Sequence, residues 1–336
     1  MKKFFLHDPN LLIYGFIMVF FASFGQTFYI ALFNEDIRNL YRITDGEFGL
    51  VYAIATLLSS FLFINFAKLI DKIDLRFYSI GVTFGLAVAC IGFYFIFDNI
   101  IHLFLILFLL RFFGQGAMTH AGSTSMARYF LIDRGKAISV ATLGGMLGIM
   151  FLPKIVVNLD LYFNFKTLWF LTTLTLLILI PIIYFILYNQ KSRDAVLQKN
   201  IDNEKTHKSW TITEILKDRV FFIYFPLAAS FPFIGTGLMF HQIYIFNAKG
   251  WTMEMLGNGY IYFGLFSILG LLIGGPLIDK INTKKAIPFV LLPLLVCITV
   301  LLFYDSYWSF VIYMSLFGFN LGLSAPFMGS LWAEIY

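Results

Sequence analysis

Ten long apolar runs dominate the chain, at residues 11–33, 46–67, 77–97, 100–127, 136–157, 167–188, 220–246, 255–275, 286–304 and 307–332. A helix crosses a bilayer with about 20 such residues. Lipid offers no partner to a free backbone N–H or C=O, so only helices and closed barrels cross it. Barrel strands alternate apolar and polar residues over about ten positions; runs such as LFLILFLL (103–110) and LTTLTLLILIPII (171–183) do not. The expected fold class is an all-α polytopic membrane protein. Composition agrees: 60% of residues are hydrophobic and 13% charged, too few charges to cover a soluble domain of this size. The first run is too long for a removable leader and lacks a small-residue cleavage site, so it reads as a span. Cys90 and Cys297 each fall in an apolar run and imply no disulfide framework.

Lys and Arg set the orientation, because they concentrate on the cytoplasmic side of short loops. With the N-terminus inside, the inner connections hold 18 of the 24 Lys and Arg and the outer ones hold five. The remaining one, Arg111, lies inside the fourth run. This bias predicts a cytoplasmic N-terminus and accounts for the net charge of +5 without any nucleic-acid partner.

A short charged string occurs twice. LIDKI stands at 69–73 and again at 277–281, 208 residues apart. STSMARYF (123–130) and GSLWAEIY (329–336) form a second pair, with Ala127 and Ala333 offset by 206. Both strings fall at matching ends of matching runs. The chain therefore reads as two parallel halves: a six-helix bundle at 1–190, a linker at 191–218, and a second bundle at 219–336. The linker is the long polar stretch and reads as a solvated connection, with Trp210–Asp218 able to form a short interfacial helix. The first copy continues for two more runs beyond the point where the second stops, so the repeat predicts ten of twelve transmembrane helices in this sequence.

Two parallel halves related by an axis along the membrane normal resemble the major facilitator superfamily. Four stretches carry the likeness. Ala67, Asp71 and Arg76 match the family's G-x-x-x-D-x-x-x-x-R/K loop, with Ala in place of Gly; Gly275, Asp279 and Lys284 keep the Gly. RFFGQGA (111–117) is similar to the family's signature in the fourth helix, and GGMLGIMFLP (144–153) to its pattern in the fifth. The resemblance implies a secondary transporter working by alternating access, with the two halves rocking around a central site and no enzymatic activity. It implies that the Asp71 and Asp279 loops act as inner gates, with Asp71 paired to Arg128 or a helix N-terminus. Arg76, Lys284 and Glu334 belong to the same gate set, Glu334 standing where the first copy has Arg128. The alternative reading is ordinary topogenic charge.

Every Asp and Glu falls in a loop or at a run's end, which disfavours a cationic substrate. Arg111 is costly at mid-bilayer, by about 2.5–3.5 kcal/mol on insertion scales, so it must face the bundle interior or a water-filled cavity. It partners an anionic substrate or braces the first helix. Gln115 follows at i+4 on the same face. Further polar candidates are Gln26 and Tyr29 in the first run, His120 in the fourth, His241 and Gln242 in the seventh and Asn320 in the tenth. Histidine as a residue type suits proton coupling near neutral pH, so either His120 or His241 is expected to couple transport to protons or to be a packing residue. Pro232, Gly235 and Gly237 predict a break in the seventh helix. Gly144, Gly145 and Gly148 predict close helix packing. The remaining Tyr and Phe are assigned no role.

No catalytic motif and no metal-ligand spacing occurs, and no cofactor is expected. The texture of the first, fourth and fifth runs resembles the monocarboxylate and oxalate–formate exchanger branch. The expected substrate is a small organic anion, carried by a monomer in a bacterial inner membrane. The competing readings are efflux of amphipathic compounds and a non-transporting sensor.

Overall fold

A computed structural model describes residues 4, 8–95, 99–130, 133–191, 193–194, 212–281 and 283–335, without the side chains at 212, 279, 284, 329, 330, 333 and 334. Its described residues form helices and no strand. The chain divides into two compact units, Met1–Glu204 and Lys205–Tyr336.

Unit 1 contains α1 (Pro9–Gly25), α2 (Thr27–Tyr41), α3 (Asp45–Asp71), α4 (Leu75–Gly92), α5 (Ile100–Tyr129), α6 (Arg134–Asp160) and α7 (Phe165–Ile186). α1 and α2 together make one span bent by 43°. Unit 2 contains the short α8 (Ile212–Ile215), then α9 (Arg219–Phe240), α10 (Gln242–Ala248), α11 (Met253–Ile281), α12 (Thr283–Phe303) and α13 (Tyr307–Ile335). Among the described residues nine helices are long and apolar enough to cross a membrane, or ten spans with the bent pair counted as one. This matches the ten runs read from the sequence.

Polar residues at the ends of the apolar runs start the helices. The four N-terminal N–H groups of a helix lack internal partners, and a side-chain oxygen can accept from one of them. Asp8 accepts from Leu11 N at 3.1 Å to open α1, and Pro9 follows it at a position where no N–H is needed. Thr44 and Glu47 close a reciprocal capping box on α3. Asn99, Asn164 and Asp218 cap α5, α7 and α9 in the same way. Within the spans, hydroxyls fold back onto the preceding turn: Ser125 donates to Ala121 O at 2.7 Å and Thr172 to Leu168 O at 2.9 Å. Such bonds satisfy polar groups where lipid cannot.

The units are built by close helix approach. A Cβ on Gly144 of α6 would collide with the carbonyl oxygen of Phe16 on α1, so the expected glycine packing is present there. Burial in unit 1 centres on Trp169 of α7, ringed by Tyr29, Phe33, Phe93 and Phe165. In unit 2, α11 and α13 pack through Gly318 and Gly322, whose Cβ positions are taken by the carbonyls of Phe263 and Ser267.

Three local expectations are corrected. α9 runs unbroken through Pro226 and Pro232, and the chain turns at His241 instead. The helix is continuous across Pro232, while His241 (φ −92°, ψ 15°) leaves helical geometry. The second copy of LIDKI is not a loop: it continues α11 to Ile281. The first copy winds into a tight 3₁₀ turn at Ala67–Asp71, because Asp74 starts a new helix three residues later. Finally, the first part of the linker is not wholly a free, solvated connection. Arg193 and Asp194 are tied to unit 1 by hydrogen bonds. Trp210 lies outside the described residues, among which the expected interfacial segment shows a helix at Ile212–Ile215.

Candidate transport site

The bend between α1 and α2 is made by Gln26, whose backbone is extended (φ −84°, ψ 154°). An extended residue inside a span leaves backbone groups without helical partners. Arg111 answers this from α5: its NH1 donates to Gly25 O at 3.3 Å and to Thr27 Oγ1 at 3.2 Å. Arg111 is only 4% exposed. Its guanidinium carbon lies 5.2 Å from the centre of the Tyr52 ring on α3, and Tyr52 Oη donates to Thr27 Oγ1 at 2.8 Å. Among the described residues Arg111 makes no ion pair, and its Nε has no partner.

Arg111 stands in an unusual stretch of backbone. Leu110–Met118 is π-helical, far longer than the single-turn bulges that are usual and that gather at functional sites. Gly114 in this stretch meets Gly25 at the bend, where a Cβ on Gly114 would lie 2.6 Å from Gly25 Cα. The two irregularities therefore touch each other.

The other expected residues of unit 1 separate into two groups. Gln26 stays at the bend and donates to Thr119 Oγ1 at 3.4 Å. His120 follows one residue later; its Nδ1 is buried without a partner, and its ring meets Phe63 edge-on at 5.5 Å. Tyr29 turns away, with its hydroxyl on Thr172 Oγ1 at 2.9 Å and its ring against Trp169; it is a packing residue of α2 on α7. Gln115 is exposed while Arg111 is buried, so the i+4 spacing does not bring them together.

In unit 2, Gln242 is buried and accepts from Tyr260 Oη. His241, its neighbour, is exposed at the turn, with its ring 5.0 Å from Phe240. Asn320 is fully buried and donates to Val290 O on α12, while its Oδ1 has no partner. These three residues do not form one cluster: Gln242 faces α11, and Asn320 faces α12.

One end of unit 1 carries the expected gate residues. Arg128 NH1 donates to Asp71 Oδ1 at 3.1 Å and to Ile70 O at 3.0 Å. Arg76 does not reach Asp71; it forms a fork on Asp74, with Nε at 3.1 Å and NH2 at 2.7 Å. Those bonds hold the Asp74 carboxyl below the usual carboxylate range. The side chains of Asp279, Lys284 and Glu334 lie outside the described residues.

Sequence reading missed a polar clasp at the same end. Arg193 Nε and NH2 bind both oxygens of Asp8, at 2.5 and 2.8 Å. Tyr129 Oη donates to Asp194 Oδ1 at 2.6 Å, and Gln190 Nε2 reaches both Tyr129 Oη and Asp194 Oδ1. The only local signal is that Tyr129 follows Arg128, and the 185-residue separation of Asp8 and Arg193 hid the pairing. Tyr52 and Thr27 were missed for another reason: neither differs in type from the packing residues around it.

The profile of the Major Facilitator Superfamily matches residues 5–336. A comparison with curated proteins finds no match. Among solved structures, the chain is similar to the nucleoside transporter NupG at 12% identity, with a TM-score of 0.70, covering 97% of this chain and 82% of that one. It is also similar to a bacterial homologue of the human lysosomal transporter Spinster, in its inward-facing and unoccupied conformation, at 14% identity and a TM-score of 0.65, covering 94% of this chain and 74% of that one. At such identities the likeness concerns the fold. The profile spans both copies of the internal repeat, and the chain, an integral membrane protein, belongs to the Major Facilitator Superfamily.

Proposed function

We propose that this protein is a secondary transporter that carries a small organic anion by alternating access, with Arg111 as the anion's charge partner. One observation carries the reading. Arg111 is buried, and among the described residues the groups around it are a carbonyl, a hydroxyl and a ring rather than a carboxylate. A buried cation without a counter-charge is expensive in low dielectric, and an arriving anion removes that cost. Gln26 and His120 flank the bend and supply further polar groups, with His120 as the proton-coupling candidate. Gln115 within unit 1, and His241, Gln242 and Asn320 within unit 2, are the further polar candidates for solute contact, each in its own unit.

The pair Asp71–Arg128 is proposed as the inner gate, with Arg76 setting the loop through Asp74. Asp279, Lys284 and Glu334 are the matching positions of the second copy. The orientation follows the charge bias, with the N-terminus in the cytoplasm and the chain in a bacterial inner membrane as a monomer.

A second reading has an observation of its own. Arg111 bonds the carbonyl of Gly25, so it also serves as a brace for the bend. Uptake by the protein in liposomes separates the two. Saturable carboxylate uptake that Arg111→Gln abolishes, in a variant that still folds, supports the anion partner. Uptake unchanged in Arg111→Gln makes Arg111 a brace alone.

A further inference from the structure

The guanidinium of Arg111 is held from three elements. The π-helical part of α5 provides Arg111, the first residue after the bend provides Thr27, and α3 provides Tyr52. Tyr52 Oη donates to Thr27 Oγ1 at 2.8 Å, and Arg111 NH1 donates to the same oxygen at 3.2 Å. A hydroxyl oxygen has two acceptor sites and one proton. With both acceptor sites engaged, Thr27 has only its proton left to give. Beside it, Arg111 Nε carries a second donor without a partner. The Tyr52 ring covers one face of the guanidinium at 5.2 Å, a contact that strengthens when it is removed from water. The cluster therefore presents the Arg111 Nε–H and the Thr27 proton as donors beside a positive charge fixed in direction, with the acceptor sites of Thr27 filled.

We propose that Tyr52 and Thr27 are positioning residues that fix the Arg111 guanidinium and turn Thr27 into a donor, so that the cluster selects a hydrogen-bond acceptor carrying negative charge. This rests on the reading of Arg111 as the solute's charge partner. Tyr52 sets the direction of the selection: without its hydroxyl, one lone pair of Thr27 is released, and Thr27 can accept a hydrogen bond as well as donate one. The ring alone keeps Arg111 in place but not Thr27.

The test uses the protein in liposomes with radiolabelled oxalate and lactate as probes, and the variants Tyr52→Phe, Thr27→Val and Thr27→Ser. Tyr52→Phe keeps the ring and the packing. The expected result is a KM raised about fivefold to tenfold, the equivalent of one hydrogen bond, with the maximal rate within twofold of the parent. Thr27→Val gives a similar rise, Thr27→Ser restores the parent KM, and Tyr52→Phe with Thr27→Val together cost no more than either alone. A KM unchanged in Tyr52→Phe and Thr27→Val overturns the proposal. If the parent carries neither probe, the anion reading fails for those probes, and thermal unfolding of the purified protein decides the positioning. Thr27→Val and Tyr52→Phe then show strongly non-additive shifts if the Tyr52 hydroxyl positions Thr27. Additive shifts contradict it.

Discussion

The guanidinium of Arg111 reaches the carbonyl oxygen of Gly25 at 3.3 Å, across the point where the first span bends by 43°. A span interrupted in lipid needs partners for the backbone groups it releases. Here the partner is a side chain whose own charge is uncompensated. The same residue thus holds the bend and keeps a positive charge buried beside it.

The approach of α5 to that bend has no spare room. A Cβ on Gly114 would lie 2.6 Å from Gly25 Cα, whereas one on Gly116 would meet the Phe63 ring at 3.2 Å. Backbone cannot yield as a ring can, and overpacking costs about 1–3 kcal/mol. Gly114→Ala is expected to lower the thermal midpoint in detergent clearly more than Gly116→Ala. Equal midpoints would show that the helices separate freely at the bend.

The ion pair Asp71–Arg128 is largely exposed on the Asp71 side, at 68%. Exposed pairs contribute about 0–1 kcal/mol. Asp71→Asn is therefore expected to leave the thermal midpoint nearly unchanged while altering the rate of the transport cycle at saturating solute. A large stability loss with an unaltered rate would mark the pair as structural.

Arg193 and Asp8 are better shielded, at 11% and 21% exposure, and their hydrogen bonds are bidentate. Forked, charge-assisted bonds are about twice as strong as neutral ones. Arg193→Gln is expected to destabilise unit 1 by about 1–3 kcal/mol and to speed proteolysis near residue 195. Asp8→Asn keeps the helix cap and loses the charge, so its loss should be similar. Wild-type protease resistance in both variants would argue that the linker root is not anchored there.

Asp74 lies between α3 and α4, and its carboxyl is held below the usual range, chiefly by hydrogen bonds from Arg76. A carboxyl whose folded pKa is lowered stabilises the fold above its unfolded pKa, about 3.9, and loses that contribution as pH falls through the folded value. Asp74→Asn should therefore melt below the parent at neutral pH, and the gap should narrow below about pH 4. A gap that stays constant down to the acid limit would assign the effect to the cap alone.

The spans were legible because lipid leaves a chain few choices, and ten apolar runs matched the observed helices. The capping box of Thr44 with Glu47 spans only three residues, yet it was not read in advance. What sequence could not show was distance across the bundle. Tyr29 looked like a polar lining residue, yet its hydroxyl is spent on Thr172. Gln115 shares a spacing with Arg111 but not its burial, in a stretch whose π-helical winding no residue pattern announced. Pro232 looked like a hinge, and the chain turned at His241 instead, where no proline stands. Such outcomes depend on which neighbour supplies a hydrogen bond, and that is a property of packing.

The most direct test of the account is uptake of radiolabelled small carboxylates into liposomes that hold the purified protein, measured for the parent and for Arg111→Gln. The account predicts saturable uptake by the parent and its loss in a variant whose unfolding profile shows that it still folds. Undiminished uptake in Arg111→Gln, or transport of uncharged or cationic amphipathic compounds in place of carboxylates, would contradict it.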